Sequence, residues 1–251
     1  MNEWSRRGML AALGGAVCLP RSAWGFGATT RVDVAELKLG TGTLSRPNAW
    51  KRLLYETIQT TSVECEPASV VVSPDDAELF AHPFTALIGD GALPTLDETA
   101  LEQLARYLSY GGFLLIDDTT GTENSPFDDS VRQLVRRLFP TRPLSPLPAD
   151  HSVYRSFFFV NQPVGRVARA QVMEGVTVGN LTPLIYMRND LSGALDRRDD
   201  GRDAHSVVPD GARQRREALK LGINLFLYAL TANYKKDQAH VRQLMREGRL
   251  E

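Results

Sequence analysis

Four aspartates stand where the sequence passes from an apolar run into a polar turn. They are Asp90 in Gly89-Asp90-Gly91, Asp117 and Asp118 after Phe113-Leu114-Leu115-Ile116, and Asp190 in Arg188-Asn189-Asp190-Leu191-Ser192-Gly193. The preceding runs read as strands, and ligands of open α/β sheets settle outside the carboxyl ends of the strands. Carboxylates gathered there would raise one another's proton affinity or hold a hard divalent cation through oxygen. His151 and Asn189 are candidates to complete the set. Such a group could serve a hydrolase with paired carboxylates, a metal site, or a cleft whose acids accept hydrogen bonds from sugar hydroxyls. The structural alternative is as concrete, because aspartates after strands commonly cap the next helix or bond their own turn. Asp118 before Thr119-Thr120-Gly121, and Asp190 before Leu191-Ser192-Gly193, suit that role. His151, after a proline-rich connector, suits the tying down of a loop.

Other reactive types are sparse. Arg46, Asn48 and Trp50 follow the first strand and approach the same edge, where an arginine could grip a carboxylate or phosphate with two donors. His82 precedes Pro83 at the start of a strand, on the opposite edge, while His205 and His240 lie in polar segments. The sequence has two cysteines, Cys18 and Cys65, and Cys65 sits between Glu64 and Glu66, which oppose thiolate formation. No Gly-rich phosphate loop, HExxH or GxSxG occurs.

The elements that must position these residues alternate. Val32–Leu39 reads as a first strand, and Arg46–Thr60 as a helix burying Trp50, Leu53, Leu54, Thr57 and Ile58. Ala68–Ser73 is β-branched and reads as a buried strand, Pro74–Phe80 as a brief helical turn, and Phe84–Ile88 as another strand. The stretch 96–121 then gives a helix, a glycine stop and a central strand; Thr95 with Glu98 fits a capping box. Asp128–Phe139 is a second amphipathic helix, ended by Pro140. Ser152–Val160 and Leu184–Met187 read as strands, with a hairpin expected between residues 166 and 179. The polar stretch Ala194–Arg215 reads as a mobile loop, Arg216–Ala232 as an apolar helix, and residues 235–251 as a charged terminal helix. Strands alternating with helices imply an α/β fold: a doubly wound, mainly parallel, flavodoxin-like sheet spanning residues 32–231.

Of the 251 residues, 43% are hydrophobic and 24% charged, enough for one globular core. The near-neutral balance of 29 basic and 30 acidic side chains argues against a nucleic-acid partner. Residues 1–25 have the order of a secretory signal, and Ser5-Arg6-Arg7-Gly8-Met9-Leu10 fits twin-arginine export. Cleavage after Gly25 would leave 26 basic and 29 acidic side chains, a net charge of -3, with no membrane span in the mature chain. The expectation is a periplasmic protein exported already folded. No cofactor is predicted, a divalent metal is admissible at the aspartates, and the expected partners are envelope proteins or a small-molecule or sugar ligand.

Gly111-Gly112-Phe113-Leu114-Leu115-Ile116-Asp117-Asp118, Leu138-Phe139-Pro140, Asp150-His151-Ser152-Val153-Tyr154, Ile185-Tyr186-Met187-Arg188-Asn189-Asp190 and Lys220-Leu221-Gly222-Ile223-Asn224 occur in that order. The chain thereby resembles the bacterial domain of unknown function 4159 family over roughly residues 32–231. The resemblance implies a fold like that of class I glutamine amidotransferases and trehalose-utilisation-type proteins. It also implies a weak association with MoxR-type ATPases and von Willebrand-type proteins, which accompany larger members. In an amidotransferase the equivalent strand leads to a turn bearing a cysteine nucleophile activated by a histidine. Here that turn carries Asp117, Asp118 and Thr119, so the resemblance implies a degenerate site and a binding or interaction module, with a carboxylate- or metal-dependent hydrolase as the alternative.

Overall fold

A computed structural model of the chain describes the backbone of residues 31–246 and side chains as far as residue 232. The expected signal segment lies outside the described residues.

Strands β1 (Val32–Leu37), β3 (Cys65–Val72), β4 (Phe84–Gly89), β5 (Phe113–Asp118) and β8 (Leu181–Met187) form the parallel body of an eight-stranded sheet. Two further strands, β7 (Glu174–Val178) and the short β6 (Ser145–Pro146), extend it antiparallel beyond β8, giving the order β3-β1-β4-β5-β8-β7-β6. The remaining strand, β2 (Thr43–Leu44), lies antiparallel on the end of β4. The fold is therefore a doubly wound, mainly parallel α/β sheet of flavodoxin-like type. Central strands β4 and β5 are buried at every position, as expected of strands covered on both faces.

One face carries α1 (Pro47–Thr60), α4 (Leu191–Leu195) and the described part of α5 (Gly211–Arg246); the other carries α2 (Glu98–Ser109) and α3 (Pro126–Leu138). Each face has its own core. Trp50, Leu53 and Leu54 of α1 meet Phe84, Phe113, Leu115 and Phe226 on the first face. Leu101 and Leu104 of α2 meet Leu114, Ile116, Val131 and Tyr186 on the second. Alternation along β5 thus sends Phe113 and Leu115 one way and Leu114 and Ile116 the other.

Several boundaries differ from the sequence expectation for identifiable reasons. Asp97, not Thr95, caps α2, accepting from the amide of Ala100 at 2.8 Å. Ser125 caps α3, which begins at Pro126. The β-branched run of β3 is an edge strand with Val71 largely exposed, so its composition reflects strand propensity more than burial. Ser152–Val160 is not a strand. Its first residues make a 3-10 turn, and the amides of Phe157 and Phe158 bond the side-chain oxygen of Asn224 on α5 rather than a neighbouring strand. The hairpin expected within 166–179 is formed instead by β7 and β8. Residues 194–215 are not one loop. They begin in α4 and end in α5, and the connection is pinned by Asp203 to Arg52 at 3.0 Å and to Arg215 at 3.1 Å. The helical backbone of α5 continues to Arg246 without a break at residue 235; residues 247–251 lie outside the described part.

Candidate functional site

The carboxyl ends of β5 and β8 place Asp117 opposite Met187. Strand periodicity then decides what the two adjacent aspartates can do: Asp117 points to the α1–α4 face and Asp118 to the α2–α3 face, so they share no site.

Asp117 is fully buried, and its two oxygens accept from the amides of Leu191 at 2.8 Å and Ser192 at 2.7 Å at the start of α4. Asp190, also fully buried, caps the same helix by accepting from Gly193 at 2.9 Å. It holds left-handed backbone at φ 54, a conformation aspartate adopts more readily than most residues. Arg46 and Arg166 both form ion pairs with Asp190, and Arg46 reaches Ser192 at 3.0 Å. Arg166 also donates to the carbonyl of Thr119 at 3.1 Å. Burial, followed by the charge of Asp190, pushes Asp117 up to about 6, against the opposing pull of the Ser192 bond and Arg46.

Asp118 stands in a separate network. It accepts from the amide of Thr120 at 2.8 Å and from the Tyr186 hydroxyl at 3.1 Å, and burial raises its pKa. Near it, Asp128, Arg132 and Glu174 form a chain of ion pairs, with Arg132 bonding both oxygens of Glu174.

The remaining candidates are dispersed. Asp90 is exposed, and its amide donates to the carbonyl of Gly42 at 3.3 Å. The side chain of Asn189 is fully used: its oxygen accepts from the amides of Arg169 and Ala170, and its nitrogen donates to the carbonyls of Pro163 and Ala170. It anchors the loop that delivers Arg166. Gly165 permits this approach, since a Cβ there would lie 2.1 Å from the Asn189 carbonyl oxygen. His151 bonds the amide of Val153 at 3.2 Å and the hydroxyl of Thr182 at 2.9 Å. Thr182 lies near the start of β8, five residues before Met187, so His151 is roughly 16 Å from Asp117 along the strand, at the opposite edge. Burial lowers its pKa. Among the described residues, no group of three or more His, Cys, Asp or Glu is placed to hold a metal ion.

The ligand crevice of such a sheet is expected where the connections reverse direction, here between β1 and β4. The chain fills it. β1 pairs with β4 only at Ala35 and Glu36; beyond that point β2 pairs with Ile88 and Gly89. Gly42 holds φ 87, and a Cβ on it would lie 2.4 Å from the carbonyl oxygen of Ala92. Below the plug, Glu36 is buried and accepts from the Arg46 amide at 2.9 Å and the Ser69 hydroxyl at 2.8 Å.

Sequence reasoning placed Arg46 at this edge but missed Arg166 as a partner of Asp190 and Ser192 as a partner of Asp117 and Arg46. Only the spacing of Arg166 from the Asn189-Asp190 turn carries information, and it specifies no contact. The fold and its edge define a doubly wound α/β module with a closed, ion-paired acidic centre. A family model described as Domain of unknown function (DUF4159) matches residues 33–230, and the chain belongs to that family. No curated protein matches the chain.

Proposed function

We propose that this protein is an exported, non-catalytic binding or interaction module of the cell envelope. The observation that supports this reading is the engagement of its buried acids. Asp117 is committed to the α4 amides, and Asp190 to Gly193 and two arginines. A general base needs a free lone pair within reach of a substrate proton, and a carboxylate nucleophile needs access; neither acid offers these. Among the described residues no helix is long and apolar enough to cross a membrane.

The test is incubation of the purified protein with envelope glycan fragments, followed by mass analysis of retained and released species. Retention of unaltered fragments is expected. Addition of water to any fragment by the wild type, absent with Asp117→Asn, would reverse the reading in favour of a hydrolase. The export arm is separate: a reporter that must fold before translocation should reach the periplasm when fused to residues 1–30, and Arg6→Lys with Arg7→Lys should strand it in the cytoplasm.

A further inference from the structure

On the flank of α1, away from the acidic centre, lies a cleft of about 350 Å³ between that helix, the edge strand β3 and the segment following α4. Lys51, Arg52, Arg197 and Arg198 line it against one acid, Asp199. That acid is already engaged, because the side-chain amide of Asn48 donates to it at 3.3 Å and to the Arg197 carbonyl at 3.0 Å. Among the described residues, no carboxylate pairs with Lys51, Arg197 or Arg198. Arg52 is held at the inner side, its side chain 11% exposed, by Asp203 at 3.0 Å and the Leu195 carbonyl at 3.4 Å. Its Nε–H is buried and finds no acceptor among the described residues. Burial first, and then the charge of Arg197, lower its pKa, against the opposing pull of Asp203. One wall is the ring of Tyr55, 56% exposed and one helical turn beyond Lys51.

We propose that this cleft is a binding site for a phosphate group carried on a sugar. Arginine supplies fixed donors matched to phosphate oxygens, several converging cations favour a dianion over a single carboxylate, and an aromatic wall accepts the apolar face of a sugar ring. A volume of about 350 Å³ falls in the range that holds one small ligand. The proposal rests on the binding-module reading and gives it a location and a ligand class.

Calorimetric titration of the full-length chain with glucose 6-phosphate, using glucose as the neutral control, tests the chemistry. Cosedimentation with phosphatidylglycerol vesicles, against phosphatidylcholine vesicles, distinguishes a lipid headgroup from a free phosphorylated sugar. Saturable binding of glucose 6-phosphate, at least tenfold weaker in Lys51→Gln/Arg197→Gln, is the expected result; binding confined to the phosphatidylglycerol vesicles overturns the sugar-phosphate assignment. Tyr55→Ala should weaken the sugar phosphate and leave inorganic phosphate unchanged. Absence of binding in both arms, equal binding of glucose, or equal binding by the double variant overturns the site. Such a failure leaves the non-catalytic reading standing, since that reading falls only on turnover.

Discussion

The acidic centre and the cationic cleft lie on the same side of the sheet and use charge in opposite ways. Around Asp190 each carboxylate oxygen has a donor: two arginines, a hydroxyl and three backbone amides surround two buried carboxylates. Around Arg52 the complement among the described residues is incomplete, with a buried donor unpaired and three neighbouring cations lacking carboxylate partners. A saturated buried ion-pair network specifies structure, because breaking it exposes an uncompensated charge. An unsaturated one retains attraction for something outside the chain. Proximity of ionisable groups therefore does not by itself mark a site; residual valence does.

Substitutions should separate the two regions. The largest effect is expected from Asp190→Ala, which removes a helix cap and leaves Arg46 and Arg166 without their carboxylate; stability should fall by about 3–5 kcal/mol in urea denaturation. A loss below about 1 kcal/mol would mean the network does not hold the edge together. Asp117→Asn should cost about 1–3 kcal/mol, since one of two converging amides would face an NH2 group. The wild type should also show a pH slope that this variant lacks. With its pKa raised from 3.8 to about 6, folded Asp117 keeps a proton that the unfolded chain releases, so its contribution declines between about pH 4 and 6 and is flat above.

His82 supplies a contrasting slope. Its bond to Asp33 raises its pKa, so its contribution is complete below pH 6.5 and lost as pH rises through the folded value. Denaturation midpoints of His82→Gln against wild type, from pH 6 to 9, should converge at the alkaline end. The smallest effect on stability is expected from Lys51→Gln/Arg197→Gln, within about 0.5 kcal/mol, with the whole consequence appearing in binding. If that pair instead unfolds the protein, the contrast between the regions is lost.

Much of the fold was legible because periodicity reports burial directly. Helices α1 and α2 bury the faces their spacing indicates, Ile58 of α1 only in part, and the unalternated Phe113-Leu114-Leu115-Ile116 is the central strand. Ser152–Val160 was misread because an aromatic run has strand propensity whether or not a neighbouring strand exists to accept its amides. The candidate site was legible only in part. Asp117 and Asp190 share the start of α4, a contact between residues 73 positions apart, while Asp117 and Asp118, adjacent in sequence, are parted by the sheet itself. Nothing local indicated that Arg166 would reach Asp190, since the bond depends on the path that Asn189 imposes on residues 163–170.

The strand pair formed by β2 and the end of β4 bears on ligand discovery. Compounds shaped for the switch-point crevice of flavodoxin-like proteins would have to displace Gly42 and its neighbours, which lie against the backbone of Gly91 and Ala92. Screening directed at the sheet edge would thus compete with the protein's own main chain. The flank of α1 is the productive address, and deletion of residues 40–44 in favour of a tight turn would be the engineering route to recovering a crevice at the edge.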